Sequence, residues 1–277
     1  MQVLSEFRIP NPPLPANMQI PHWQLPPGVS HGTWEYTHRD SIADDYDEYF
    51  AFNSLFSFDE GVLAEQFQPP GLVADLGCGT ARALVPLVRA GHRGLAIDLS
   101  EPMLRVVAEK AAREQLDITC LKANLVELTS DQVANNSVDY AMCLFSTLGM
   151  IRGHANRLKM LQHTHRMLKP GGKFVLHVHN FYFNLYDPGG PWWVMKSLLT
   201  GPFSKHSDVG DRYFEYRGVP DMFLHVFRPS ELRGLLRKAG FKIHRWIPLE
   251  VTRRHPLKHP WCFSALRANG WIVVVQK

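Results

Sequence analysis

After Pro69-Pro-Gly71 the chain alternates between short apolar runs and longer stretches with apolar residues three or four positions apart. Short runs bounded by turn residues predict buried strands, and the wider spacing predicts helices that face a core. Strands are expected at Leu72–Leu76, Gly94–Asp98, Ile118–Lys122, Val138–Phe145 and Phe174–His179. Helices are expected between them, at Ala81–Ala90, from Ser100 to about Glu114, and at Ala155–Leu168. Gly91 ends the first, Ser100 caps the second with Pro102 in its first turn, and Lys169-Pro-Gly-Gly172 stops the third. Strand and helix in this alternation imply βαβ units, right-handed crossovers and a parallel sheet. The rhythm breaks from about Phe181 to Val226, where Trp192, Trp193, Tyr213, Phe214 and Tyr216 fall among glycines and prolines. It resumes with a helix at Ser230–Ala239, a strand at Phe241–Ile247 and a last strand at Trp271–Val275.

Upstream the pattern differs. Seven of the eighteen residues from Pro10 to Pro27 are proline, which rules out a continuous helix or central strand there. Residues 1–33 are therefore expected to form an extended or disordered arm. From Asp40 to Phe56 the chain is acidic and aromatic, and Tyr46, Tyr49, Phe50 and Phe56 recur at roughly helical spacing, which predicts core-facing rings. The remainder, 34–277, is expected to be a single domain with an insertion or lid at about 181–227.

The composition, 45% hydrophobic and 20% charged in 277 residues, is that of a globular protein. No stretch approaches the roughly 20 apolar residues of a membrane span, and the first residues lack the pattern of a secretory signal. Stable membrane insertion is not expected. Cys78, Cys120, Cys143 and Cys262 are widely separated, which suits free thiols in a reducing, cytoplasmic setting and argues against structural zinc. The net charge of +4 is partly local, in Arg245, Arg253, Arg254, Lys258, His255 and His259. A solvated loop is favoured there over a phosphate-binding patch.

The segment with the most chemistry is Val73-Ala-Asp75-Leu-Gly77-Cys-Gly79-Thr-Ala81, between a strand and a helix. Glycines in such a turn let a ligand approach the main chain. A dinucleotide fingerprint would need glycine where Arg82 stands, and the Asp75 carboxylate disfavours a pyrophosphate nearby. The same carboxylate suits a ligand with an ammonium group. S-adenosylmethionine carries one, with a carboxylate that loop amides are expected to bind. Asp98, 23 residues further at the end of strand two, is placed to accept from both ribose hydroxyls.

These residues, with Ile97-Asp-Leu-Ser-Glu-Pro-Met103 and Leu168-Lys-Pro-Gly-Gly172, resemble the class I S-adenosylmethionine-dependent methyltransferases. The similarity is nearest to the broad group that includes quinone-biosynthesis methyltransferases. It implies an α/β fold: a Rossmann-like, doubly wound, mostly parallel seven-stranded sheet with an antiparallel last strand and an aromatic-rich insertion after strand five. It also assigns Asp75, Gly77, Cys78 and Gly79 to the methionine end of the cofactor, Asp98 to the ribose, and Leu99 and Met103 to the adenosine. Asn124 and Leu125 stand where the family usually has an acidic residue near the adenine amine. Cys143 and Phe145 would flank the methionine moiety, and Tyr46 resembles a tyrosine that covers the cofactor. Ala81 replaces a third loop glycine.

Acceptor binding is expected beyond the carboxyl ends of the strands. His177 and His179 share a face of strand five. His179, with Asn180, is the candidate for orienting or deprotonating the acceptor, since imidazole titrates near neutrality; the other reading is a buried, hydrogen-bonded histidine with its neighbour at the rim. A metal site joining them to His225 lacks a clear third ligand, and none is expected. Trp192, Trp193, Tyr213 and Tyr216 are expected either to wall a planar acceptor or to form the insertion's own core. The resulting expectation is methyl transfer to a small or lipid-like acceptor. The alternative is transfer RNA, because Leu224-His-Val-Phe227, Glu231-Leu232 and Asn269-Gly-Trp271 resemble a family that methylates modified wobble uridines. Further alternatives are a binding protein that retains the fold without catalysis, and a nicotinamide-dependent oxidoreductase, which Asp75 and Arg82 disfavour.

Overall fold

The computed structural model describes residues 21–51, 57–204 and 207–277. Nine strands are formed among them: β1 (Leu72–Leu76), β2 (Arg93–Asp98), β3 (Ile118–Lys122), β4 (Val138–Cys143), β5 (Leu168–His179), β6 (Asp211–Tyr216), β7 (Val219–His225), β8 (Lys242–Pro248) and β9 (Gly270–Gln276). Seven of them make one sheet in the order β3-β2-β1-β4-β5-β9-β8. The first five are mutually parallel, and β9 runs antiparallel to both β5 and β8. This is the Rossmann-like sheet with its antiparallel last strand.

Both faces of the sheet are covered, which is why its strands are apolar at consecutive positions. In β9, Trp271, Val273 and Val275 join one buried cluster while Ile272 and Val274 join the other. Helices His154–Met167 and Pro229–Lys238 supply the first cluster; Ser57–Gln66, Leu84–Arg89 and Glu101–Glu114 supply the second. The helix Glu101–Glu114 follows its local signals closely: Ser100 Oγ accepts from the Met103 N–H at 3.4 Å, and Pro102 sits in the first turn.

Three boundaries move by more than one residue, the first being the end of β4, at Cys143 and not Phe145. The helix expected from Ala81 starts at Leu84, because Ala81 adopts a left-handed φ of 58° that no helix accommodates. Strand five starts at Leu168 rather than Phe174, since Lys169-Pro-Gly-Gly172 forms an irregular entry to β5, with a register shift against β4 between Val138 and Tyr140. The rings of Tyr49, Phe50 and Phe56 and the proline-rich residues before Pro21 lie outside the described residues. Pro27 to Val29, within the expected arm, pack onto the domain: the Arg152 N–H donates to the Gly28 carbonyl at 2.8 Å. The next helix, His31–Thr37, meets β7 so closely that a Cβ on Gly32 would stand 2.4 Å from the Asp221 carbonyl oxygen.

The insertion contains the helix Gly190–Thr200 and the hairpin β6–β7. A buried charge network fixes it to the sheet. Arg157 is fully buried; its Nη1 donates to the Ile151 carbonyl at 3.0 Å, and Nη2 meets Asp208 at 2.6 Å. Asp211 and Glu231 stand 4.0 and 3.9 Å from the same guanidinium, and His225 bridges those two carboxylates at 2.7 and 2.9 Å. Removing the cation leaves two buried carboxylates, Asp211 and Glu231, with only His225 between them, and frees the half-exposed Asp208. Arg157→Met is therefore expected to lower the unfolding free energy by about 3–5 kcal/mol. Urea denaturation checks this against Arg254→Met, an exposed control expected to change it by less than about 0.5 kcal/mol.

Candidate active site

The carboxyl ends of β1, β2, β4 and β5 open onto one cavity of about 640 Å³. Asp75, Gly77, Cys78 and Gly79 line it after β1, Asp98 and Leu99 after β2, Leu144 and Phe145 after β4, and His179 at the end of β5. Gly77 and Gly79 have φ of 75° and 52°, and a Cβ on Gly77 would lie 2.3 Å from Thr147 Cγ2. Only glycine fits that turn without displacing Thr147.

The Asp75 side chain is 4% exposed and borders the cavity. Burial, with the nearby Asp98 charge adding to it, pushes its carboxyl up to about 8. Asp98 is held from the protein side: Oδ2 accepts from the Gly79 N–H and Oδ1 from the Ser100 N–H, both at 2.8 Å. Each oxygen keeps a lone pair for a ligand.

The loop amides depart from expectation. Gly77 and Cys78 donate to the Ile97 carbonyl at 2.8 and 3.1 Å, Gly79 to Asp98, and Ala81 to the Cys78 carbonyl at 2.9 Å. Those four N–H groups are engaged within the protein. The cation beside them is Arg82, which also lines the cavity; in the sequence it served only to reject a dinucleotide.

Met103, Asn124 and Leu125 line the cavity as well. Asn124 Oδ1 accepts from the Val126 N–H at 3.0 Å, while Nδ2 donates to the Pro27 carbonyl at 3.0 Å and to Glu127 at 3.1 Å. Asn124 thus fastens Pro27, Gly28 and Val29 as a wall of the cavity. Tyr46 faces the glycine loop, 3.9 Å from where a Gly79 Cβ would stand. Its hydroxyl hydrogen-bonds Tyr36; burial raises both phenols, so they stay neutral. Tyr36 and Tyr216 complete this aromatic side; Tyr216 was a candidate wall of the acceptor, and Tyr36 was not singled out.

Two expected site residues lie elsewhere. Cys143 is fully buried in the core with Ala141, because β4 ends there and Phe145 and Ser146 turn at φ of 52° and 61°. Leu144 and Phe145 reach the cavity instead. Burial pushes the Cys143 thiol up to about 12. Asn180 is also buried: its amide donates to the carbonyls of Ala265 and Ala268, each at 2.7 Å, and its oxygen accepts from the Tyr182 N–H at 3.1 Å. That side chain is spent on chain packing and not on an acceptor.

His177 is buried with Nδ1 2.7 Å from Asp59 Oδ2, off the cavity wall. His179 is half-buried and borders the cavity beside Arg253 and Asn269. Burial, then the Arg253 and His177 charges, pushes it down to about 3, against a hydrogen bond with Asn269. It is neutral at physiological pH and a weak base. Of the insertion's rings, Phe214, Tyr216 and Phe223 line the cavity, whereas Trp192 is 66% exposed and Trp193 packs on Phe181. Tyr213 is half-exposed and also off the wall.

Residues 73–172 match the family described as a methyltransferase domain. The chain is 30% identical over 177 residues to the demethylmenaquinone methyltransferase of Shouchella clausii, covering 61% of this chain and 69% of that protein. A protein of Geobacillus sp. with a methyltransferase name is 27% identical over 110 residues, 40% of this chain and 43% of that protein. A solved S-adenosylmethionine-dependent methyltransferase from Methanosarcina mazei superposes with a TM-score of 0.61 at 20% identity, covering 78% of this chain and 96% of the other. The chain belongs to the class I S-adenosylmethionine-dependent methyltransferases. It is an enzyme, and its cofactor is S-adenosylmethionine. The residues present fit that cofactor: a buried carboxyl with no hydrogen-bond partner among the described residues suits an ammonium group, and the glycine loop, Tyr46 and Asp98 line one cavity.

Two predictions follow from the electrostatics of this site. With its carboxyl near 8, Asp75 is mostly protonated at pH 7 in the free protein. Such a raised value costs stability as pH rises from about 4 to about 8. An ammonium group restores the charged form, so S-adenosylhomocysteine should release about one proton per site on binding at pH 7. Calorimetry in buffers of different ionisation enthalpy checks this, and Asp75→Asn should abolish the release. For His179 the sign is opposite: a depressed value costs stability as pH falls from the ordinary imidazole range toward about 3. Its ring should show no titration by NMR between pH 5 and 8.

Proposed function

We propose that the enzyme transfers the methyl group of S-adenosylmethionine to a small, planar or lipid-like acceptor held in the apolar part of the same cavity. The observation that carries this is the continuity of the cavity from the glycine loop to Phe145, Met150, Phe214, Phe223 and Leu224. Its volume lies within the ~300–1,000 Å³ range of small-molecule sites. The relative that acts on a demethylmenaquinone, a quinone by name, supports an apolar acceptor.

In this reading Asp75 meets the cofactor's ammonium group and Arg82 its carboxylate. Asp98 accepts from the ribose hydroxyls, Leu99 and Met103 pack the adenosine, and Tyr46 covers the loop. The cofactor supplies an activated methyl group. The chain's own residues align the acceptor and exclude water, and alignment alone lowers such a barrier by several kcal/mol. His179 acts as a hydrogen-bonding group, because a base so weak removes few protons at neutral pH. Residues 34–277 are proposed as one catalytic domain with 181–227 as its lid, and Pro27 to Val29 added as a wall.

Nothing specific favours RNA. Leu224 faces the cavity, His225 lies in the buried ion network, and Trp271 is a core residue. The basic C-terminal run is also divided, with Arg245 paired to Glu65 at 2.9 Å and Arg253 against the cavity. Among the described residues no helix is long and apolar enough to cross a membrane.

S-adenosylhomocysteine should raise the melting temperature and NADH should not. Asp98→Ala should weaken its binding by roughly thirtyfold, the loss of about 2 kcal/mol of charge-assisted hydrogen bonding. Cells given methyl-labelled methionine should show protein-dependent label in the organic extract; label confined to transfer RNA would overturn the acceptor class.

A further inference from the structure

Arg253 is a cation that the fold brings to the cavity and leaves without an ion-pair partner among the described residues. It comes from the turn between β8 and β9, in left-handed backbone at φ 61°. That turn is held in place. The Asn269 N–H donates to the Leu249 carbonyl at 3.0 Å, the Leu249 N–H to Gly270 at 2.9 Å, and Asn269 Nδ2 to the Val251 carbonyl at 2.9 Å. The Arg253 N–H closes the turn on the Glu250 carbonyl at 3.0 Å.

Neither the carboxylate in its own turn nor the one that attracts it closes an ion pair with this guanidinium. Glu250 accepts from the Thr252 hydroxyl and from the N–H groups of Thr252 and Arg254. Asp59 attracts Arg253 and has one buried oxygen, Oδ1, without a hydrogen-bond partner, but its Oδ2 is bonded to His177 and the pair does not close to ion-pair distance. Burial meanwhile makes the charged form of Arg253 less comfortable than in water. A half-buried, unpaired guanidinium beside a largely apolar chamber is an unfinished interaction.

His179 and Asn269 stand at the same part of the wall. β9 fixes their relation, because His179 pairs with Gly270 across the β5–β9 ladder. A Cβ on Gly270 would lie 2.4 Å from the Val178 carbonyl oxygen, so glycine allows this approach. The single N–H of the neutral imidazole goes to Asn269, so the donors left for an anion are those of the guanidinium.

We propose that Arg253, set in the wall beside His179 and Asn269, forms an anion subsite that holds an ionised oxygen of the methyl acceptor, with the acceptor's apolar body against Phe145, Phe223 and Leu224. The proposal rests on the reading that the acceptor shares this cavity with the cofactor. It narrows the acceptor to apolar molecules bearing a phenolate, an enolate or a carboxylate. A hydroxyl beside Arg253 ionises more readily than in water. This accounts for a site whose wall histidine, His179, is a poor base: the bound acceptor needs none.

The test is calorimetry of the full chain saturated with S-adenosylhomocysteine, titrated with 1-naphthoate and with its neutral isostere 1-naphthamide. The wild type should bind naphthoate roughly tenfold or more tightly than the amide. Arg253→Gln should erase that preference and leave the affinities for naphthamide and S-adenosylhomocysteine within about twofold, while Arg253→Lys keeps part of it. Equal binding of the two probes by the wild type, binding of neither, or an undiminished preference in Arg253→Gln overturns the subsite. The S-adenosylhomocysteine titration is read separately: intact cofactor binding with no discrimination removes the anion subsite alone and leaves the assignment of Asp75 and Asp98 standing.

Discussion

Two carboxylates, Asp75 and Asp98, stand at the ends of adjacent parallel strands, both withdrawn from bulk water. Like charges so placed repel, and desolvation penalises each of them. The protein resolves the conflict unequally. Backbone N–H groups of Gly79 and Ser100 hold Asp98. Asp75 is left to keep its proton until a cation arrives. The glycine loop, its positive φ angles and the engaged amides all serve that division. The loop is therefore less a cradle of free donors than a clamp that fixes one carboxylate and exposes the other.

The same economy appears at the far side of the cavity. A cation, Arg253, and a neutral imidazole, His179, take the place of carboxylates there. The cavity thus has two carboxyl groups and Arg82 at the end under β1 and β2, and Arg253 at the wall built by β5 and the turn between β8 and β9. Apolar side chains separate them. A positively charged sulfonium and an electron-rich acceptor would each meet the sign of charge that suits it.

Much of this was legible in the chain. The strands β1 to β4 and the helix Glu101–Glu114 are written in apolar runs, a capping serine and an early proline, all of them local signals. Asp75, the loop glycines and Asp98 are local too. What escaped depends on contacts between distant segments. Arg253 looked like one more charge in a basic run, because only Asn269 and β9 decide where its turn points. Pro27 to Val29 looked like tether, since their role comes from Asn124 and Arg152. Cys143 was misplaced by a single residue: period-two alternation fixes which side chains share a face, but not where a strand ends. The insertion's aromatics were ambiguous by composition, and the hairpin β6–β7 chose Phe214, Tyr216 and Phe223 over the tryptophans.

The position of β9 has a consequence for how the molecule comes to exist. The last strand in sequence occupies an interior slot of the sheet, hydrogen-bonded on both sides. On a ribosome, β1 to β8 emerge before it, and β5 waits with an open, apolar edge until β9 follows. Such an edge is a template for pairing with the wrong chain. Synthesis of this enzyme therefore includes an interval in which its cofactor loop and its five parallel strands exist but the slot between β5 and β8 is unfilled.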